Sequence, residues 1–186
     1  MIGVPGQIQI YTGEGKGKTT AALGLILRFL GSGGRACLIQ FDKGAVEGQE
    51  VYFERRVFPR LEGLTHLPSG LPRFDPKAGT FRFKNIAGDF EEARRGFGLA
   101  KEALGQGYGL LVLDELLSLV LTGLLPKEEV LAYLDDFEAR GRPCELLLTG
   151  HQIWPELVEK ADLVTEMSKV KHYFDRGIKA RKGIEY

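Results

Sequence analysis

Nine consecutive residues hold the densest chemistry in the chain: Thr12-Gly13-Glu14-Gly15-Lys16-Gly17-Lys18-Thr19-Thr20. Glycines at this density let a backbone curl until successive N–H groups face one point, an arrangement that binds anions. Lys18 adds a full positive charge for phosphate oxygens, and the Thr19 hydroxyl suits a hard divalent cation such as magnesium. Glu14 is out of character in an anion site and is expected to face solvent. The usual phosphate-loop pattern is G-x-x-x-x-G-K-[ST]. Counting back from Gly17 puts Thr12 where its first glycine belongs, so the glycine here is displaced to Gly13. A second group lies far along the chain. Leu110-Leu111-Val112-Leu113-Asp114-Glu115 is an apolar run ending in two acids, the kind of strand end that holds magnesium opposite a phosphate loop.

These residues need elements to position them. Gln7 to Thr12 alternates polar and apolar residues and reads as a strand. Thr19 to Leu30 reads as a helix, closed by Gly31-Ser32-Gly33-Gly34. Ala36 to Phe41 reads as a buried strand, completing a strand–helix–strand unit with the loop at its first turn. Further on, helices are expected over 51–58, 89–106, 126–140 and 154–160. Strands are expected over 64–67, 110–115, 144–149 and 163–167. Residues 68–85 read as a long loop, and such loops are often functional. The tail from Lys169 shows no period, and its six Lys/Arg against two acids suggest a solvated basic segment. The alternation of strands and helices predicts an α/β fold of three layers, a mostly parallel sheet with helices on both faces. With no linker or repeat in view, residues 1–186 are expected to form one domain.

Composition narrows the function. Twenty-five basic residues balance twenty-five acidic ones, which argues against a generally basic nucleic-acid binder. The 44% hydrophobic content supports a sizeable core in 186 residues and argues against disorder. Two cysteines, Cys37 and Cys144, cannot make a disulfide scaffold or a four-cysteine zinc site, and both fall in expected core strands. No apolar run approaches the ~20 residues of a membrane span. No charged-then-apolar leader is visible, so the cytoplasm is the expected compartment.

The loop variant, together with Gln40-Phe41-x-Lys43-Gly44, Val112-Leu113-Asp114-Glu115-Leu116, Leu148-Thr149-Gly150 and the stretch from Ala161 to Ile184, resembles the P-loop type ATP:corrinoid adenosyltransferases. The resemblance runs nearly end to end. It implies a P-loop NTPase fold with a RecA-like sheet, and a homodimer. The implied reaction moves the 5′-deoxyadenosyl group of ATP onto Co(I) of a corrinoid such as cobalamin and releases triphosphate. It implies catalytic roles for Lys18, Lys16 and Thr19. Substrate contacts would run along Gly13, Glu14, Gly15, Lys16, Gly17, Lys18, Thr19 and Thr20, with Arg28 near the nucleotide. Leu71 and Phe74 stand nearest the two aromatic positions that displace the corrinoid's lower axial ligand, and Phe81 and Phe83 are further candidates. Magnesium or manganese would lie among Thr19, Asp114 and Glu115, and a reduced flavoprotein is an implied electron donor. His151 stands where the family pattern has arginine, and Lys169 where it has proline. Two other functions share the loop and the acid-ended strand: a small phosphotransferase resembling a nucleoside kinase, and a non-catalytic protein that binds ATP or corrinoid. Nucleic acid and membrane are not expected partners.

Overall fold

The computed structural model describes residues 5–44, 50–75 and 80–185. Six strands form one sheet in the order β3-β2-β6-β7-β1-β8, and every neighbouring pair is parallel. They are β1 (Ile8–Thr12), β2 (Ala36–Gln40), β3 (Leu64–Pro68), β6 (Leu110–Asp114), β7 (Glu145–Thr149) and β8 (Leu163–Glu166). β2 and β6 are buried along their whole length, as strands covered on both faces must be, which explains their unbroken apolar runs. One face carries α1 (Lys18–Gly31), whose Ala22 and Ile26 pack on Leu38, Leu110, Val112 and Leu147. The other face carries α2 (Ala87–Ala103), α3 (Leu116–Leu121), α4 (Lys127–Ala139) and α5 (Pro155–Lys160) over Ile10, Ile39, Leu111 and Leu148. This is the expected three-layer α/β fold, a P-loop type of sheet, with most of its helices on one side.

Several local expectations change. Residues 53–60 form two 3-10 turns, Phe53–Arg56 and Phe58–Arg60, and not one helix. Pro59 removes an amide there, and only Phe58 is buried, so no helical stripe forms. The stretch 68–85 contains a short antiparallel pair, β4 (Phe74–Asp75) with β5 (Thr80–Phe81). α3 was not anticipated. Glu115, at φ 65, turns the chain sharply out of β6 and into it. The tail holds another 3-10 turn, Tyr173–Arg176.

Candidate active site at the carboxyl end of the sheet

Three strand ends supply buried polar side chains to one place: Gln40 of β2, Asp114 of β6 and Thr149 of β7. In parallel α/β sheets the carboxyl ends of the strands are where ligands bind. Asp114 has no solvent exposure, so its charge must be met from within. Thr149 Oγ1 donates to its Oδ1 at 2.8 Å, and Thr19 Oγ1 lies 3.0 Å from the same oxygen. Lys43 Nζ donates to Oδ2 at 2.5 Å and Gln40 Nε2 approaches it at 3.3 Å. The helix bearing the phosphate loop and the acid-ended strand are therefore joined directly, 95 positions apart in sequence.

The loop explains its own glycine pattern. The ladder between β1 and β8 continues one step, with Met167 N–H donating to the Thr12 carbonyl at 2.8 Å. The segment after β8 then runs against the loop. A Cβ on Gly13 would stand 2.6 Å from the Met167 carbonyl oxygen, and one on Gly15 only 2.5 Å. Gly13 and Gly17 also adopt φ values of 102 and 123, where side chains are strained. Gly15 N–H is bonded to the Met167 carbonyl at 2.6 Å, so this amide braces the loop and does not face its hollow. The first-turn amides of α1 remain the donors for an anion. Lys18 is buried, and its Nζ donates to the carbonyls of Gly13 at 2.6 Å and Gly15 at 3.0 Å. Burial holds its pKa below the usual lysine range, against the pull of Glu115 and Asp114.

The basic tail returns to the loop. Lys16 Nζ donates to Tyr173 Oη at 3.0 Å, the Ile184 carbonyl at 2.9 Å and Glu185 Oε1 at 2.8 Å. Tyr173 and Arg181 also hold the Glu185 carboxylate. Two cavities meet here, of about 260 Å³ and 450 Å³, sharing Thr19, Thr20, Ile184 and Glu185 in their walls. Tyr52 and Phe53 line the larger one.

A sequence model of the family described as ATP:corrinoid adenosyltransferase BtuR/CobO/CobP matches residues 5–186. The chain belongs to the ATP:corrinoid adenosyltransferase family. A corrinoid adenosyltransferase of Pseudomonas aeruginosa is 36% identical over 97% of this chain and 84% of its own length. Corrinoid adenosyltransferases of Escherichia coli K12 and Salmonella typhimurium are 34% and 33% identical, each over 97% of this chain and 86% of their own length. The chain is thus an adenosyltransferase whose substrates are ATP and a corrinoid, within adenosylcobalamin biosynthesis.

For this adenosyltransferase the geometry gathers some of the expected residues and disperses others. Lys16, Lys18, Thr19, Thr20 and Glu115 line the smaller cavity, and Glu14 lies in its wall with an exposed side chain. Glu115 is oriented by Ser118, whose Oγ donates to its carboxylate, while its N–H donates to Thr149 Oγ1 at 2.9 Å. Arg28 is not part of this group. It sits exposed in the last turn of α1, about 15 Å along the helix from Lys18. Leu71 packs beside Gly88 at the start of α2, and its backbone lies against Gly44. Phe74 opens β4, but its side chain, like that of Phe81, lies outside the described residues. Phe83 is 85% exposed.

A polar network behind Asp114 joins Gln40 and Lys43 of the shared motif to Arg55 and His66, which the sequence did not single out. Gln40 Oε1 accepts from Arg55 Nε and from His66 Nε2, each at 2.9 Å, which turns its amide nitrogen toward Asp114. Arg55 Nη2 also donates to the Lys43 carbonyl at 2.7 Å. Burial, with the nearby Arg55 charge, lowers the His66 pKa to about 4, so the ring is neutral and donates through Nε2. Gln40 and Lys43 were visible only as letters of a shared motif.

Proposed function

We propose that the loop at the head of α1 holds the triphosphate of ATP as a leaving group while Co(I) of the corrinoid attacks the ribose 5′ carbon. Negative charge grows on the departing triphosphate, and fixed donors placed where that charge develops give the largest catalytic return. The first-turn amides of α1, Lys18 and Lys16 are those donors. Thr19 orients against Asp114. The observation that carries this reading is the Thr19–Asp114 contact of 3.0 Å beside the loop, which unites an anion site with a buried carboxylate.

A magnesium or manganese ion fits the same place. The donors are hard oxygens from Thr19 and Asp114, with Glu115 adjacent, and a lysine ammonium already lies between the first two. Among the described residues no three His, Cys, Asp or Glu side chains cluster as a metal cage. The ion would therefore share its coordination with the nucleotide, as magnesium commonly does. When bound there it supplies positive charge to the polyphosphate oxygens. Leu71 and Phe74 belong to a stretch, packed against Gly44 through its 70–72 backbone, that would meet the corrinoid. An electron donor such as a reduced flavoprotein, a homodimer and a cytoplasmic location complete the reading. No helix among the described residues is long and apolar enough to cross a membrane.

The test supplies ATP, Co(II) corrinoid and a reductant. The expected products are a light-sensitive Co–C bond and inorganic triphosphate. ADP, or a phosphorylated nucleoside with cobalt left unalkylated, would overturn it in favour of a phosphotransferase. Phe74→Ala should slow the reaction from Co(II) while leaving ATP affinity within about twofold, because the hairpin segment is separate from the phosphate loop.

A further inference from the structure

Lys43 is held in an unusual way, with a fixed backbone and a movable head. Its N–H donates to the Ser69 carbonyl at 3.0 Å and its carbonyl accepts from Arg55 at 2.7 Å. The preceding Asp42 adopts φ 52, a left-handed conformation that turns the chain back over the end of β2. Arg73 Nε secures that turn through both Asp42 carboxylate oxygens, at 2.7 and 2.8 Å. Gly44 is pressed so closely on the 70–72 backbone that a Cβ would meet it at 2.3 Å. All this fixes where the Lys43 side chain begins. Its Nζ, by contrast, ends a flexible stem: among the described residues it hydrogen-bonds the two groups expected to take a divalent ion, Asp114 Oδ2 at 2.5 Å and Thr19 Oγ1 at 2.9 Å, with the centre of the Tyr52 ring 5.9 Å away.

We propose that Lys43 is a positioning residue that acts as an internal stand-in for the divalent cation. Its ammonium neutralises Asp114 and ties it to Thr19 in the nucleotide-free enzyme, then yields the carboxylate when the ion arrives with ATP. Two cations cannot occupy one position between the same oxygens, so metal and ammonium compete for Asp114. The released ammonium, still anchored at the end of β2, remains beside the polyphosphate. The inference rests on the assignment of Thr19 and Asp114 to the metal.

Mn²⁺ binding, followed by electron paramagnetic resonance with and without ATP, tests it. Lys43→Met keeps the stem and removes the charge, so Mn²⁺ should bind about tenfold more tightly than in the wild type. Lys43→Arg keeps the charge and should leave binding as weak as in the wild type. Equal or weaker Mn²⁺ binding by Lys43→Met overturns the inference alone. Wild-type enzyme that binds ATP but no Mn²⁺ overturns both the metal assignment and this inference. Should Lys43→Met fail to fold, wild-type protein decides the matter. Acylation of Lys43, read by mass spectrometry with ATP present throughout, should differ several-fold between Mn²⁺ and chelator. Identical rates would show that the ammonium never leaves Asp114.

Discussion

Glu185 places its carboxylate 2.8 Å from the Lys16 ammonium, so an anion from the far end of the chain meets a cation of the phosphate loop. Arg181, Lys16 and Tyr173 hold that carboxyl far below the usual carboxylate range. A depressed carboxylate keeps its interactions above its ordinary pKa and loses them only as pH falls through the lowered one. The clasp is therefore fully charged from pH 5 to 8. Glu185→Gln should lower the KM for ATP by about two- to fivefold at low salt. Because the Lys16 end is exposed, the advantage should shrink as ionic strength rises. ATP titrations at several salt concentrations read this directly, and a salt-independent difference would contradict a competing anion.

Asp114→Asn removes the charge from a carboxylate that meets Thr149, Thr19, Lys43 and Gln40. It leaves the Lys43 ammonium without its anion. Breaking such a pair on one side should cost about 3–5 kcal/mol of stability. Adenosyl transfer should fall by about a hundredfold or more, since the carboxylate proposed to orient the metal is lost. Urea unfolding and product formation, measured on the same preparation, check the two halves separately.

Two glycines near each other in sequence should respond with opposite signs. Gly15→Ala puts a methyl group 2.5 Å from the Met167 carbonyl, where only backbone could give way. Overpacking of this kind costs about 1–3 kcal/mol, and the distorted loop should lose most of its ATP affinity. Gly24, inside α1, has nothing within 4 Å of the same position. Gly24→Ala should stabilise the protein by about 0.5–1 kcal/mol through helix propensity alone. Thermal melts of both variants against the wild type give the comparison.

His66 makes stability depend on pH. Its folded pKa is about 4 against an ordinary 6.5, so the unfolded chain binds the proton first. Its contribution is complete above pH 6.5 and is lost as the pH falls from there toward 4. After allowance for the ring's partial contact with solvent, this amounts to about 2 kcal/mol. His66→Gln should flatten the stability curve across that window, with urea midpoints at half-unit pH steps as the measurement.

The parts of the site that are local in sequence could be read from it. The strand, glycine turn and helix from Ile8 to Gly31 lie in one stretch, and Asp114 ends an apolar run. The residues around Asp114 are a different matter. Gln40 meets Asp114 because β2 and β6 pair in that register, and Arg55 reaches both Gln40 and Lys43 from a 3-10 turn with no periodic signal. α3 was hidden for a related reason. Leu110 to Leu121 is apolar apart from Asp114, Glu115 and Ser118, and such a composition does not reveal that a helix follows the strand at once. Only the left-handed turn at Glu115 separates them. The tail clasp depends on Tyr173 and Glu185 approaching a lysine over 150 positions away, which no local pattern encodes.

The sheet order also dictates a sequence of events during synthesis. β1 is made long before its neighbours in the sheet, β7 and β8, which come from residues 145–166. It must wait, unpaired, until β7 has been made more than 130 residues later, because parallel partners this distant cannot be found locally. The nascent protein thus acquires its glycine turn late, when the Met167 carbonyl arrives to brace it.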